Sequence, residues 1–243
     1  MFDLTIPVLN EEETLERNVL KSLNYIQTNI TKSIRIIIAD NGSTDKTQYI
    51  GEKLDEKYNE ITFLKVPRKG VGLALRTSWM SSEADVVGYM DLDLATDLKH
   101  LKEVYDMLIK ESEFEIVNGS RLLKKSKVEN RTILREVTSR VFNKLVQNLL
   151  GVKLSDGMCG FKFFKRERAV ELINTGINID GWFFSTEILV KAHWVNLKVK
   201  EIPVNWTDDI NSKVNVKKLS IEYFTEILRL RKEKSSFILK NRF

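Results

Sequence analysis

Cysteine and histidine are scarce in this sequence. The 243 residues include one cysteine, Cys159, and two histidines. A single cysteine cannot form a disulfide within the chain, and such sparse use of cysteine indicates a reducing compartment such as the cytoplasm. These side chains are also too few for the usual structural zinc sites, which take about four cysteine or histidine ligands. The scarcity therefore excludes a disulfide scaffold and a zinc-stabilised fold.

Long apolar runs are missing as well. No stretch approaches the roughly 18–20 residues that a membrane-spanning helix needs. Met1 leads directly into the first predicted strand, so we expect no signal peptide. No internal repeat, low-complexity tract or linker interrupts the sequence. These absences predict one domain with a sizeable core and no membrane span.

The charged residues have a basic excess. The net charge is +5 and the pI is about 9.1, while the hydrophobic content of 42% and the charged content of 30% are ordinary for a soluble globular protein. A basic protein favours polyanionic partners, which include phosphates, an anionic membrane surface and nucleic acid. The aromatic and basic patterns of common RNA-binding folds are absent. We therefore expect no nucleic-acid partner, although a non-catalytic nucleotide- or nucleic-acid-binding module stays open as an alternative.

Predicted strands and helices alternate through the first half of the chain. The strands, recognised as apolar runs, cover residues 2–9, 34–39, 61–66, 85–90 and 114–118. The helical segments between them cover residues 10–29, 46–58, 73–81 and 98–110. This alternation predicts an α/β fold with a Rossmann-like, mostly parallel sheet and helices on both faces.

The alternation breaks after residue 121. We expect a loop over 122–130, helices over 131–150, 166–174 and 184–195, a short strand near 161–164 and another strand over 199–206. The last segment, 216–243, is predicted to be a basic amphipathic helix, which suits a membrane surface, a partner or packing on the domain. The helix 131–150 could also line a lipid groove. We therefore divide the chain into an α/β domain, 1–215, and a C-terminal helix, 216–243.

Two carboxylates follow the buried strand that ends at residue 90. Asp91 and Asp93 are two residues apart, so both point to one side of the pleat at the carboxyl edge of the sheet. Open α/β sheets bind ligands at that edge. Two such carboxylates can hold a hard divalent cation, and the cation can hold a diphosphate. An isolated Asp-x-Asp more often caps a loop, but a second acidic strand end at Asp40 favours a binding site.

Other polar residues follow predicted strands in the same way. Asn10 and Asp40 either hydrogen-bond a base edge or ribose, or cap helices. The glycine loop 68–72, which includes Lys69, could cradle phosphates with its backbone amides, although it lacks the spacing of a P-loop or a dinucleotide site. Arg121 follows an apolar strand, which places it at the carboxylate edge unless it is an ordinary surface charge.

Taken together, these motifs resemble those of the family 2 inverting glycosyltransferases, which have the GT-A fold. The matching stretches are residues 7–12, 40–45 and 91–93. The resemblance is tighter to the enzymes that load a sugar onto dolichyl or another polyprenyl phosphate, and within them to the dolichyl-phosphate β-glucosyltransferases. It extends, in the order of the family, through residues 156–164, 182–187, 204–206 and 212–213.

This resemblance implies an enzyme that transfers a sugar with inversion, and it favours glucose from UDP-glucose. A GDP-mannose-dependent dolichyl-phosphate mannosyltransferase and a family 2 transferase acting on a glycan hydroxyl stay open. Mg²⁺ or Mn²⁺ is the implied cofactor. The implied acceptor is dolichyl or polyprenyl phosphate, reached at the cytoplasmic face of a membrane, either peripherally or through a membrane-spanning partner.

The resemblance also implies which residues hold the donor. The nucleoside would be held by Pro7, Asn10, Glu11 and Asp40. Asp91 would lie near the ribose and sugar and Asp93 would bind the cation, so both are candidate metal ligands. The diphosphate would be covered by Ser212 and Lys213. We count Lys69 and Lys162 among the candidate binding residues too.

On the acceptor side, the resemblance implies phosphate contacts from Arg121 and Arg135, and places Asp156 facing the sugar. Arginine suits this role because its planar fork binds two phosphate oxygens. The acceptor would attack the anomeric carbon directly while the metal stabilises the departing nucleoside diphosphate. Because the second pKa of a phosphate monoester is about 6, a strong base is not required. We name Asp156 as the group that positions the acceptor or takes its residual proton, and Asp93, Asp156 and Arg121 as the catalytic set.

A few positions depart from the family pattern or stay ambiguous. Asn41 stands where a second Asp is usual, and Leu94 stands where Ala, Gly or a polar residue is common. Ser185 replaces the usual Asp, which leaves Glu187 as the acidic candidate there. Lys162, flanked by phenylalanines, belongs either to the site or to the exposed face of its strand.

Overall fold

A large sheet flanked by helices dominates this computed structural model, which describes residues 1–30, 34–111, 113–208 and 216–240. The first four strands are β1 (Phe2–Val8), β2 (Ile34–Asp40), β3 (Ile61–Lys65) and β4 (Val86–Met90). They are connected by α1 (Leu15–Asn29), α2 (Thr47–Lys57) and α3 (Val71–Ser81). β1, β2 and β4 are buried along almost their whole length, as expected of central strands that helices cover on both faces.

The second half of the chain is less regular. It begins with α4 (Lys99–Tyr105), which continues as a π-helical segment (Asp106–Glu111), and with β5 (Ile116–Ser120), β6 (Lys127–Glu129) and α5 (Ile133–Leu150). It continues with β7 (Phe161–Lys165), α6 (Arg166–Asn174), α7 (Phe184–Trp194), β8 (Val199–Pro203), β9 (Asn205–Thr207) and α8 (Val216–Lys240). α5 has clear ends: Thr132 accepts a hydrogen bond from the Arg135 amide, and Gly151 follows in a left-handed conformation.

The main sheet has the strand order β3-β2-β1-β4-β7-β5-β8, and β6 pairs with β9 in a separate parallel ribbon. β7 runs antiparallel to β4 and β5, whereas the other neighbouring strands are parallel. Val86 and Val87, adjacent in β4, enter cores on opposite faces of the sheet. The predicted α/β fold, with a mostly parallel sheet and helices on both faces, is confirmed.

Two predicted helices differ from the structure at one end. The acidic turn 10–13 lies before α1, which begins at Leu15, and Asn10 at its start has a left-handed backbone with φ of 56°. The helix predicted over 98–110 is α-helical only to Tyr105 and then widens to a π-helix.

The predicted strand over 199–206 is divided at Val204. The amide of Val204 donates to the Ser120 carbonyl, and its own carbonyl accepts from the Lys127 amide. The chain therefore leaves the main sheet here and enters the ribbon as β9. Its partner β6 lies inside segment 122–130, for which the sequence predicts a loop.

α8 packs on the domain through one of its faces. Its buried apolar side chains are Tyr223, Ile227, Leu230 and Phe237, which join the core that also contains α7. The Tyr223 ring lies 5.3 Å from the rings of both Phe142 and Phe183, measured between centroids. A helix over this segment is confirmed for residues 216–240. In the ranges that the structure describes, no helix is long and apolar enough to cross a membrane.

Candidate functional site

The carboxyl ends of β1, β2 and β4 meet at one edge of the main sheet. These strands are parallel neighbours, and Val8 at the end of β1 is in register with Asp40 at the end of β2. Pro7 is half-buried at the penultimate position of β1, and β4 ends one residue before Asp91. The edge predicted from the sequence thus collects Pro7, Asp40 and Asp91.

Asp40 has a buried carboxylate oxygen without a partner. The residue is fully buried, and its Oδ1 accepts a hydrogen bond from the Ser43 amide at 3.0 Å. Its Oδ2 is buried too and has no hydrogen-bond partner among the described residues. An unsatisfied buried acceptor costs roughly 1–3 kcal/mol, so it calls for a donor from a ligand or water. Asp40 is therefore suited to accept an N–H or O–H group of a bound molecule.

Asn10 and Glu11 connect the end of β1 to the start of α2. The Asn10 Oδ1 accepts from the Thr44 amide at 2.8 Å, and the Glu11 amide donates to Thr47 Oγ1 at 2.7 Å. The Glu11 carboxylate accepts from Thr14 Oγ1 at 2.7 Å. Neither residue is the N-cap of α1, which is Thr14. Asn10 is exposed and Glu11 is half-buried, so both form part of the rim of this edge.

The glycine loop is already hydrogen-bonded to the protein. The Gly70 amide donates to Asn41 Oδ1 at 3.3 Å, and the Gly72 amide donates to the Asp180 carbonyl at 2.7 Å. The prediction that the loop cradles phosphate with its amides is therefore wrong for these two groups. Lys69 is exposed, so its side chain is the part of the loop that can reach a ligand.

Asn41 occupies the position of the family's usual second Asp for a local reason. Its Nδ2 donates to the Val8 carbonyl at 2.8 Å while its Oδ1 accepts from Gly70. A carboxylate could accept from Gly70 but could not donate to Val8. The amide therefore ties the glycine loop to the end of β1.

Asp91 lies against Gly160, which directly precedes β7, and Asp93 follows two residues later. The Asp91 amide donates to the Gly160 carbonyl at 3.2 Å, and a Cβ atom on Gly160 would fall 1.7 Å from Asp91 Oδ2. Burial, followed by the negative charge of Asp93, raises the pKa of Asp91 to about 7. Asp93 is exposed, and its Oδ1 accepts from the Ala95 amide at 3.0 Å. The two carboxylates thus repel each other at a position where water screens their charges only in part.

A divalent cation fits this pair of residues. Carboxylate oxygens are the ligands that Mg²⁺ and Mn²⁺ favour, and a cation would offset the repulsion that raises the pKa of Asp91. The described ranges contain no group of three or more His, Cys, Asp or Glu side chains arranged as metal ligands. Asp91 and Asp93 could therefore supply only part of a coordination shell, with the rest coming from a ligand or water.

Arg121 and Asp156 form a buried ion pair at the end of β5. The Arg121 Nε lies 2.7 Å from Asp156 Oδ2 and its Nη2 lies 3.0 Å from Oδ1. The guanidinium also stacks 4.8 Å from the Trp206 ring centroid. Although burial opposes it, the Arg121 charge lowers the pKa of Asp156 to about 2. Asp156 is thus a poor proton acceptor at neutral pH, which disfavours the predicted role in taking a proton.

Lys162 is fully buried, so the interpretation of an exposed strand face is wrong. It lies on β7, and its ammonium group donates to the Cys159 carbonyl and lies 5.7 Å from the Tyr89 ring centroid. Burial lowers the pKa of Lys162 to about 8, while the nearby charges of Asp156 and Asp91 act in the opposite direction. A buried cation is therefore held between the two acidic parts of the edge.

Arg135 lies in the first turn of α5 and shares an acidic partner with Arg131. The Arg135 Nη1 is 3.5 Å from Asp208 Oδ1, and the Arg131 Nη1 is 3.3 Å from Asp208 Oδ2. The Trp206 Nε1 donates to the same Asp208 carboxylate at 3.0 Å. Sequence reasoning missed Asp208, which is 77 residues from Arg131 and follows a ribbon that was not predicted. Arg121 and Arg135 are thus connected through Trp206 and Asp208.

The remaining candidates lie elsewhere. Glu187 is buried in α7 and forms ion pairs with Lys191 at 2.8 Å and with Arg229 of α8 at 2.5 Å, so it fastens α8 to the domain. Leu94 adopts a left-handed backbone with φ of 56° and packs against the core. Ser212 and Lys213 lie outside the described residues.

Comparison with known proteins decides the family. Residues 3–172 match the model of Glycosyl transferase family 2. The chain belongs to this family. It is 32% identical over 228 residues to glycosyltransferase AglD of Haloferax volcanii, covering 93% of this chain and 36% of that protein. It is 31% identical over 237 residues to a dolichyl-phosphate beta-glucosyltransferase of Dictyostelium discoideum, covering 93% of this chain and 72% of the relative.

Solved structures support the same glycosyltransferase fold. Glucosyl-3-phosphoglycerate synthase from Mycobacterium tuberculosis, in complex with UDP, superposes with a TM-score of 0.68 at 19% identity, covering 96% of this chain and 80% of that one. The same enzyme with Mn²⁺, UDP and phosphoglyceric acid gives a TM-score of 0.68 at 17% identity, covering 95% and 78%. The GT-A fold implied by the sequence motifs is thereby confirmed.

Proposed function

We propose that this family 2 enzyme transfers glucose from UDP-glucose to dolichyl or another polyprenyl phosphate, with inversion. One observation carries the proposal: the carboxylate pair Asp91 and Asp93 shares a sheet edge with Arg121, which is connected to Arg135 of α5 through Trp206 and Asp208. The carboxylate pair suits a donor diphosphate with its cation, and the two arginines suit an acceptor phosphate. The similarity to dolichyl-phosphate beta-glucosyltransferases over most of the chain favours this substrate pair.

On the donor side, we assign the free Asp40 oxygen to an N–H group of the base. Uracil and guanine both carry such a group, so this contact alone leaves the nucleotide open. The UDP complexes of the structural neighbours and the names of the relatives support uridine and glucose. Pro7, Asn10 and Glu11 would border the nucleoside, and Lys69, Ser212 and Lys213 would reach the diphosphate.

The cation proposal concerns Asp91 and Asp93, which would hold Mg²⁺ or Mn²⁺ together with donor phosphate oxygens. When bound, the cation would offset the negative charge that develops on the departing nucleoside diphosphate. The buried ammonium of Lys162 would add positive charge beneath the same carboxylates. Asp91 and Asp93, through the cation, and Lys162, through its charge, would thus hold the diphosphate in place as it departs.

On the acceptor side, Arg121 and Arg135 would hold the phosphate of the lipid. Arg121 is locked by Asp156 and Trp206, so its geometry is set before the acceptor arrives. A phosphate oxygen would form a bond to the anomeric carbon as the bond to the diphosphate oxygen breaks on the opposite face. Because the phosphate is largely ionised at pH 7, no proton needs to be removed, and Asp156 serves to position Arg121.

The acceptor lipid places the reaction at a membrane. We propose that the domain 1–215 catalyses transfer at the cytoplasmic face and that α8 contributes to contact with the membrane or with a membrane-spanning partner. The net charge of +5 suits an anionic surface.

A transfer assay tests this function. Radiolabelled glucose from UDP-glucose should enter dolichyl or undecaprenyl phosphate with Mn²⁺ or Mg²⁺, and neither EDTA-treated protein nor Asp93→Ala should transfer it. Glu167→Ala, which removes an acidic side chain that is 68% exposed on α6, is the matched control and should retain activity. Transfer from GDP-mannose but not from UDP-glucose would refute the proposed donor. Metal-dependent UDP binding without a lipid product would refute the proposed acceptor.

A further inference from the structure

The first three turns of α5 expose an apolar stripe. The exposed fractions are 84% for Ile133, 67% for Leu134, 52% for Val137 and 54% for Val141. Their spacing of one, three and four residues places them on one face of the helix. Soluble proteins usually expose apolar side chains singly, whereas contiguous patches mark interaction sites.

The neighbouring helix α8 repeats this pattern. Ile221, Phe224 and Leu228 are 70%, 47% and 38% exposed, although the opposite face of α8 is already buried against the domain. The two helices are in contact, because the Phe142 ring of α5 packs on the Tyr223 ring of α8. Packing on the domain therefore explains only one of the two apolar faces of α8.

Basic side chains accompany both stripes. The exposed cations of α5 within 133–150 are Lys144 and Arg140, of which Arg140 pairs with the half-buried Glu136 at 2.5 Å. Among the described side chains of α8, the exposed cations are Arg231, Lys232 and Lys240, against one exposed acid, Glu222. Apolar side chains flanked by lysine and arginine are typical of helices that lie in the interface of an anionic bilayer.

The stripe on α5 begins at the arginine cluster. Ile133 and Leu134 directly precede Arg135, whose partner Asp208 also binds the Trp206 ring that stacks on Arg121. A phosphate held by these arginines would therefore lie close to the first exposed apolar side chains of α5.

We propose that the exposed faces of α5 and α8 dock this enzyme on an anionic lipid bilayer. Their apolar side chains enter the boundary between headgroups and acyl chains, and their lysines and arginines bind anionic headgroups. The position of the docked surface relative to the acceptor rests on the proposed function, whereas the membrane contact itself does not.

Vesicle sedimentation tests the docking surface. The purified chain should bind phosphatidylcholine vesicles that contain phosphatidylglycerol, and should bind less at 1 M NaCl or without the anionic lipid. Ile133→Ser/Leu134→Ser/Val137→Ser and Ile221→Ser/Phe224→Ser should each lower the partition coefficient at least tenfold. Tyr49→Ser, which changes a 61% exposed residue of α2, is the matched control and should bind as the wild type does.

Binding of both multiple variants at the wild-type level, or no binding by the wild type, would overturn the proposal. A wild-type dimer in light scattering that becomes a monomer in the variants, with vesicle binding unchanged, would instead assign the face to a second copy of the chain. Circular dichroism should show wild-type folding for all variants, because the substituted side chains are exposed.

A parallel transfer assay separates this proposal from the proposed function. The multiple variants should lose transfer to polyprenyl phosphate in vesicles but keep transfer to a short, water-soluble isoprenyl phosphate. Absence of transfer to either acceptor by the wild type would refute the proposed function, and the vesicle-binding result would still decide the docking surface.

Discussion

Gly160 leaves the space that the Asp91 carboxylate occupies. A Cβ atom at Gly160 would lie 1.7 Å from Asp91 Oδ2, 2.3 Å from its Cγ and 2.6 Å from Oδ1. Because the whole carboxylate is overlapped, Gly160→Ala must force Asp91 into another staggered rotamer, which moves its Cγ by about 2.5 Å. Displacement of a positioned group by about 1 Å can cost roughly 100-fold in activity.

We therefore expect Gly160→Ala to weaken Mn²⁺-dependent UDP binding about 100-fold, which is about 2.7 kcal/mol. Titration calorimetry with UDP and Mn²⁺ measures this change directly. The matched control is Gly181→Ala, where the added Cβ would meet only the tip of the Glu222 side chain, at 3.0 Å. An affinity within twofold of the wild type in folded Gly160→Ala would refute the assignment of Asp91 to the donor site.

Three further predictions concern the acidic and basic residues of the site. Because pairing with Arg121 lowers the pKa of Asp156 from 3.8 to about 2, this pair stabilises the fold above pH 4 and loses its contribution as the pH falls towards 2. Between pH 5 and pH 2 the free energy of unfolding should fall by about 2 kcal/mol more in the wild type than in Asp156→Asn, as measured by urea denaturation. An equal fall in the two proteins would contradict this. Asp40→Asn should weaken UDP binding about tenfold, because an N–H group would face the N–H of the base; unchanged affinity in calorimetry would remove Asp40 from the base site. Arg135→Ala should raise the KM for the lipid acceptor about tenfold while donor affinity stays within twofold, and equal losses would place Arg135 on the donor.

The strand ends could be predicted because strong local signals specify them. Apolar runs identify the strands, and the carboxyl ends of parallel neighbours share an edge, so the sequence alone predicts that Asp40 and Asp91 lie together. The same reasoning located Arg121 after β5. These predictions depend only on residues within a few positions of each strand.

Contacts between distant segments could not be predicted in this way. Arg131 and Asp208 are 77 residues apart, and their contact depends on the small ribbon formed by β6 and β9. Burial of Lys162 depends on its place between two other strands, which the alternation around it does not reveal. The local pattern of the glycine loop suits phosphate, but the Gly72 amide donates to the carbonyl of Asp180, over a hundred residues away in the sequence. Each case requires the tertiary arrangement rather than the local pattern.

The stereochemistry of the lipid product tests the central claim most directly. Product made from UDP-glucose and a polyprenyl phosphate should be isolated and its anomeric configuration determined by nuclear magnetic resonance. Direct displacement at the α-linked donor predicts glucose joined to the phosphate in the β configuration. An α-linked product, or glucose attached to a hydroxyl group instead of the phosphate, would contradict the account.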